Sequence, residues 1–147
     1  MKIIDERSYK GGIDFLKVKQ KYEEIKEILE GVKSLRHDKR PNEIQTAFNG
    51  RGWETEKKFR NNKLDAFKDR IAINIEASHV VHIDTDVRDF SLLYRLGEVE
   101  VGVLILDMSR LKEKHNFDTV CRTKIEQYKE DILVPLVVFA CDDNEIL

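Results

Sequence analysis

The chain has 147 residues, 41% of them hydrophobic and 37% charged, with 26 Lys and Arg against 28 Asp and Glu for a net charge of −2. That balance suits a single globular domain over 1–147 and excludes a disordered or low-complexity chain. No apolar run approaches the roughly 20 residues that cross a bilayer, and the N-terminal stretch turns charged too early for a signal peptide. Cys121 and Cys141 sit in apolar segments without ligand-like spacing. Buried thiols in the reducing cytoplasm are the expectation.

Phe15, Val18, Tyr22, Ile25, Leu29 and Val32 recur at three- and four-residue steps. This spacing predicts one long amphipathic helix over 15–35. Pro41 suits a first helical position, and a short helix runs to Phe48, before the Gly50-Arg51-Gly52 break. Alternation predicts strands over 53–59 and 63–67 and, after the turn Lys68-Asp69-Arg70, over 71–78. In the last of these, Ile71, Ile73, Ile75 and Ala77 point one way, and Ala72, Asn74, Glu76 and Ser78 the other. A helix over 86–96 stops at Gly97 and leads to an apolar strand over 99–106. A further helix over 118–132 and a buried strand over 133–140 complete the chain. The meander is antiparallel, and the helical crossovers make the later strands parallel. The expected architecture is α/β, a mixed five-stranded sheet flanked by helices.

Two carboxylates stand out in this layout. Asp65 and Glu76 fall on neighbouring strands across a tight turn, and Asn74 shares the face of Glu76. Hard divalent cations such as Mg²⁺ bind through one or two carboxylates, with water and substrate phosphate completing the shell. An ion held there polarises a phosphoryl group and activates water. Glu54 or Glu56, from the preceding strand, is placed to add a ligand. The competing reading is a strand whose charged residues merely form its wet face. His79 and His82 suggest zinc or a general base, but read best as a solvated loop. Trp53 reads as core. The basic runs 33–40 and 57–63 are a solvated face or a phosphate-binding one, because DNA affinity follows local cations rather than net charge.

Phe48 with Gly52-Trp53, the Leu64-Asp65 pair, Ile71-Ala72-Ile73-Asn74-Ile75-Glu76, Arg88-Asp89-Phe90 and Val101-Gly102-Val103 follow one another in a recognisable order. Together they resemble the central region of the BglII/BstYI-type restriction endonucleases, built on the PD-(D/E)XK nuclease core. Pro135 matches a proline before the last strand. The resemblance implies a Mg²⁺- or Mn²⁺-dependent endonuclease that hydrolyses double-stranded DNA as a homodimer. Asp65, Asn74 and Glu76 are then the catalytic positions, and Asp65, Glu76 and Glu56 the metal ligands. Lys57, Lys58, Arg60, Lys63 and Arg70, expected around the site, would bind DNA phosphates. The chain departs from the family at Asn74, where an acid is expected, and in the segment after the third strand, which lacks the usual lysine. Two readings therefore stand: an active nuclease using Glu76 as its second acid, or a degenerate nuclease fold that binds DNA or protein without cutting.

Overall fold

The computed structural model describes residues 1–33, 38–59, 61–77, 79–111 and 115–144. Its elements are β1 (Lys2–Tyr9), α1 (Gly12–Val18), α2 (Tyr22–Glu30), α3 (Arg40–Asn49), β2 (Glu54–Phe59), β3 (Asn62–Lys68) and β4 (Ile71–Glu76). There follow α4 (Ile83–Arg95), β5 (Val101–Asp107), α5 (Met108–Leu111), α6 (Phe117–Lys124), a 3₁₀ helix (Glu126–Asp131) and β6 (Leu136–Asp142). The strands form one sheet in the order β1-β6-β5-β4-β3-β2. Pairings β4–β5 and β5–β6 are parallel, and the other three are antiparallel.

The sheet has six strands, not the five expected. The addition is β1, whose sequence KIIDERSY carries charge at three consecutive positions and so lacks an apolar signature. As an edge strand it needs only one partner, β6. Its polar side chains find their own partners: Tyr22 Oη donates to Glu6, while Arg7 bonds Asp118 and Glu126.

The long helix expected over 15–35 is two helices. The buried side chains are Leu16 on α1 and Tyr22, Ile25, Ile28 and Leu29 on α2, while Phe15 and Val18 are exposed. Nine residues separate Leu16 from Ile25, which on a continuous helix would set them roughly half a turn apart. A break at Gln20, with φ of 59°, lets both face the sheet. The helix expected over 118–132 likewise ends at Lys124 and gives way to the 3₁₀ segment. Ile125 and Ile132, at its two ends, both remain buried.

Apolar residues cluster on both faces of the sheet. One cluster joins Ala72, Leu104 and Val138 to Val87 and Phe90 of α4 and Val120 of α6. The other joins Ile71, Ile73, Val103 and Phe139 to Leu16, Ile25 and Ile44 of the first three helices. The alternation expected in β4 is present, with Ile71 and Ile73 on one side and Ala72 on the other. Every residue of β5 is buried, as a central parallel strand requires. Gly102 on β5 lets α4 come close, because a Cβ at that position would lie 2.5 Å from the Phe90 ring. α4 is thereby pressed onto the sheet beside β4.

Candidate active site

The ladder between β3 and β4 pairs Lys68 with Ile71, Phe67 with Ala72 and Ala66 with Ile73. Continuing that register would set Asp65 opposite Asn74, and here side chains replace the main-chain bonds. The Asp65 amide donates to Asn74 Oδ1 at 3.2 Å, and the Ile75 amide donates to Asp65 Oδ2 at 2.7 Å. Gln45 on α3 donates through Nε2 to both the carbonyl and Oδ1 of Asp65, each at 3.2 Å. The strands part at this point, and the Asp65 carboxylate stands in the opening.

Asn74 is 6% exposed and does not belong to a solvated face, whereas Glu76 at the strand's end is half-buried. Its amide orientation follows from its partners, since an N–H requires an oxygen and a carboxylate requires an N–H. Nδ2 donates to Asp86 Oδ1 at 3.2 Å. Asp86 belongs to the first turn of α4, which begins at Ile83, three residues before its expected start. The Glu76 carboxyl lies close enough to Asp86 for its charge to act on it. Two neighbouring carboxylates disfavour a second negative charge, so Asp86 holds its proton more tightly.

Burial, then the Glu76 carboxyl beside it, push Asp86 up to about 9. Burial also raises Asp65, the Ile75 amide opposes that rise, and Glu76 adds to it. Asn74 thus links Asp65 and Asp86, and the negative charge of Glu76 raises both. Asp86 Oδ2 is buried without a hydrogen-bond donor.

The other expected site residues are placed less uniformly. Glu56 is exposed, with φ of 54°, and is paired with Lys63 Nζ at 3.4 Å. It lies at the edge of the site and only weakly raises Asp65. Lys57 pairs with Glu54 at 3.2 Å, and Lys58 is exposed. With Lys63 these lysines line the β2–β3 ribbon beyond Asp65. Arg60 lies outside the described residues, as do residues 34–37 of the earlier basic run. Arg70, expected around the site, is at the opposite end of β4, where it bonds Glu100 at 3.0 Å and the Gly97 carbonyl. A strand that begins at Ile71 and ends at Glu76 carries its two flanks apart at about 3.3 Å per residue. His79 and His82 are both exposed.

Gln45 and Asp86 were not among the expected site residues. Among the described residues, no three His, Cys, Asp or Glu side chains form a ready metal-binding group. Mg²⁺ does not demand one, because it is commonly held by one or two carboxylates with water and substrate phosphate. A donor set of carboxylates containing a buried oxygen without a donor suits such an ion. Among the described residues, no helix is long and apolar enough to cross a membrane.

A family model described as restriction endonuclease BglII/BglIII matches residues 4–141. No curated protein matches the chain.

Proposed function

We propose that this chain, which belongs to the restriction endonuclease BglII/BglIII family, hydrolyses phosphodiester bonds of double-stranded DNA with Mg²⁺ or Mn²⁺ held by Asp65 and Glu76. The observation that carries this reading is the Asp65 carboxylate, fixed by the Ile75 amide and Gln45 beside Glu76, where β3 and β4 separate. Type II restriction endonucleases generally use divalent metals. Such an ion, when bound, polarises the scissile phosphoryl group and lowers the pKa of an attacking water.

The chain's own residues supply the rest. Gln45 and the Ile75 amide hold Asp65 in one rotamer, which reduces the reorganisation needed at binding. Asn74 braces the Asp65 main chain instead of offering its carbonyl to the ion. Lys58, Lys57 and Lys63 lie on the ribbon beside Asp65 and suit contacts with the DNA backbone. Glu56 serves there mainly as a partner for Lys63. We place the protein in the cytoplasm as a single domain and as a homodimer, so that two sites address two strands.

Asn74 at the position of the expected acid favours a second reading, a fold that binds DNA without cutting it. Plasmid DNA incubated with the protein and Mg²⁺ or Mn²⁺ separates the two. Nicking or linearisation that disappears in Asp65→Asn supports the nuclease. Metal-independent binding without cleavage supports the second reading, and cleavage that survives Asp65→Asn removes this site from the mechanism.

A further inference from the structure

We propose that the groove between α4 and the 3₁₀ segment is where a second copy of this chain docks, about a two-fold axis that runs along the groove. This rests on the homodimer reading and assigns it a face.

One wall of the groove is α4, through Val87, Arg88, Ser91, Leu92 and Arg95. Their three- and four-residue steps put them on one side of the helix. From Asp84 to Arg95 that wall is about 16–17 Å long. The other wall is the 3₁₀ segment with Leu133 beyond it. Ser91 Oγ ties the walls together by accepting from the Leu133 amide at 3.3 Å. Val87, Ile125 and Ile132, all buried, make the floor. The groove has two parts, of about 260 and 510 Å³, which meet at Arg88 and Asp131.

The fold leaves apolar side chains of this groove in water. Leu92 is 46% exposed, Tyr128 43% and Leu133 39%. Single exposed leucines are ordinary, but three such side chains lining one groove form a patch.

The charges decide what covers it. Arg95 stands on the α4 wall, and Glu130 and Asp131 on the wall opposite. None of the three makes an ion pair with any described residue. Asp84 and Arg88, nearer the start of α4, pair with each other at 3.4 Å. A groove basic on one side and acidic on the other is its own complement. A two-fold axis along it turns the Arg95 wall of each copy onto the acidic wall of its partner, and brings the leucines together between them. DNA fits this groove badly, because the acidic wall repels a polyanion. Because α4 also holds Asp86 against Asn74, the docked pair carries its two candidate sites in a fixed relation.

The test is the association state of the full chain, by sedimentation velocity over a dilution series, with circular dichroism checking the fold of each variant. Wild type is compared with Arg95→Glu, with Glu130→Lys plus Asp131→Lys, and with an equimolar mixture of the two variants. These positions lie on the surface, where substitution changes folding stability little. Each variant alone sets like charges against each other in both halves of the two-fold contact, and should weaken the dimer by about tenfold or more. In the mixture every contact again joins opposite charges, so heterodimers should regain most of the loss. A charge pair within one chain could not be restored by mixing. Variants that dimerise as wild type does, or a mixture no more associated than its components, would overturn this face and leave the homodimer to another. A wild type that stays monomeric at every concentration would overturn the homodimer reading as well. Plasmid cleavage and its loss in Asp65→Asn are read separately, so the nuclease reading stands or falls on its own.

Discussion

Raising the pH from about 6 to about 8 should destabilise the metal-free protein, through the proton that Asp86 keeps when folded. In the folded state burial and Glu76 hold Asp86 at about 9, against an ordinary 3.8. The folded protein thus keeps a proton that the unfolded chain releases. Stability associated with that proton is complete below the ordinary aspartate range and is lost as pH climbs toward 9. One proton, that of Asp86, is counted. One proton corresponds to about 1.4 kcal/mol per pH unit, or roughly 2.7 kcal/mol over two units. For a chain of this size that is a fall in Tm of roughly 5–10 °C. Asp65 and Asp89, raised chiefly by burial, act in the same direction. Glu100 and Asp118, lowered by hydrogen bonds from Lys19 and Arg7 respectively, lose their contribution only at acid pH. The assay is thermal unfolding across this range with chelator present, on wild type and Asp86→Asn. The slope should flatten in Asp86→Asn. A wild-type Tm that is level or rises between pH 6 and 8, or an equal slope in the variant, would refute the proton held by Asp86.

Three further outcomes follow from the packing and the charges. Gly102→Ala places a methyl 2.5 Å from the Phe90 ring and should cost about 1–3 kcal/mol in urea denaturation; a change within the measurement error would mean that α4 gives way easily. Arg40, wholly buried, meets Asp107 at 3.2 Å and Ser109 at 3.0 Å. Arg40→Met should cost about 3–5 kcal/mol by stranding a buried carboxylate, and Arg40→Met with Asp107→Leu should recover much of it. Lys58→Ala with Lys63→Ala should reduce the salt dependence of DNA binding by about two phosphate contacts, whereas Arg70→Ala, at the far end of β4, should leave it unchanged.

What could be read in the amino acids, and what could not, divides along physical lines. The β2–β3–β4 meander and the apolar strands β5 and β6 announce themselves by alternation or by continuous hydrophobicity. Asp65, Asn74 and Glu76 were legible because a tight turn fixes the distance along two adjacent strands. β1 was not, because an edge strand with charged side chains carries little apolar pattern. The split between α1 and α2 hid behind plausible helical spacing that chose Phe15 and Val18, which are exposed, over Leu16. Arg70 was misplaced because nearness in sequence stood in for nearness in space. Gln45 and Asp86 reach the site from helices, and how a helix registers against a sheet depends on tertiary packing. One local signal did exist for Asp86. It is a carboxylate at a position of α4 whose neighbours one turn away, Ile83 and Phe90, are buried, and a charge on an apolar face asks for a partner.

The pairing of β1 with β6 has a consequence for how the molecule comes into being. Lys2 lies against Asp142 and Tyr9 against Leu136, so the first strand of the sheet docks on the last. The segment from β2 through α4 is contiguous and holds Asp65, Asn74, Glu76 and Asp86, so it can assemble from contacts close along the chain. β1, by contrast, keeps its hydrogen-bonding edge uncovered until β6 has been made. Distant pairings of this kind slow folding, because a long loop has to be closed before any contact rewards it. The end of the sheet that carries Asp65 and Asp86 is thus placed to form early, and the far edge to close last.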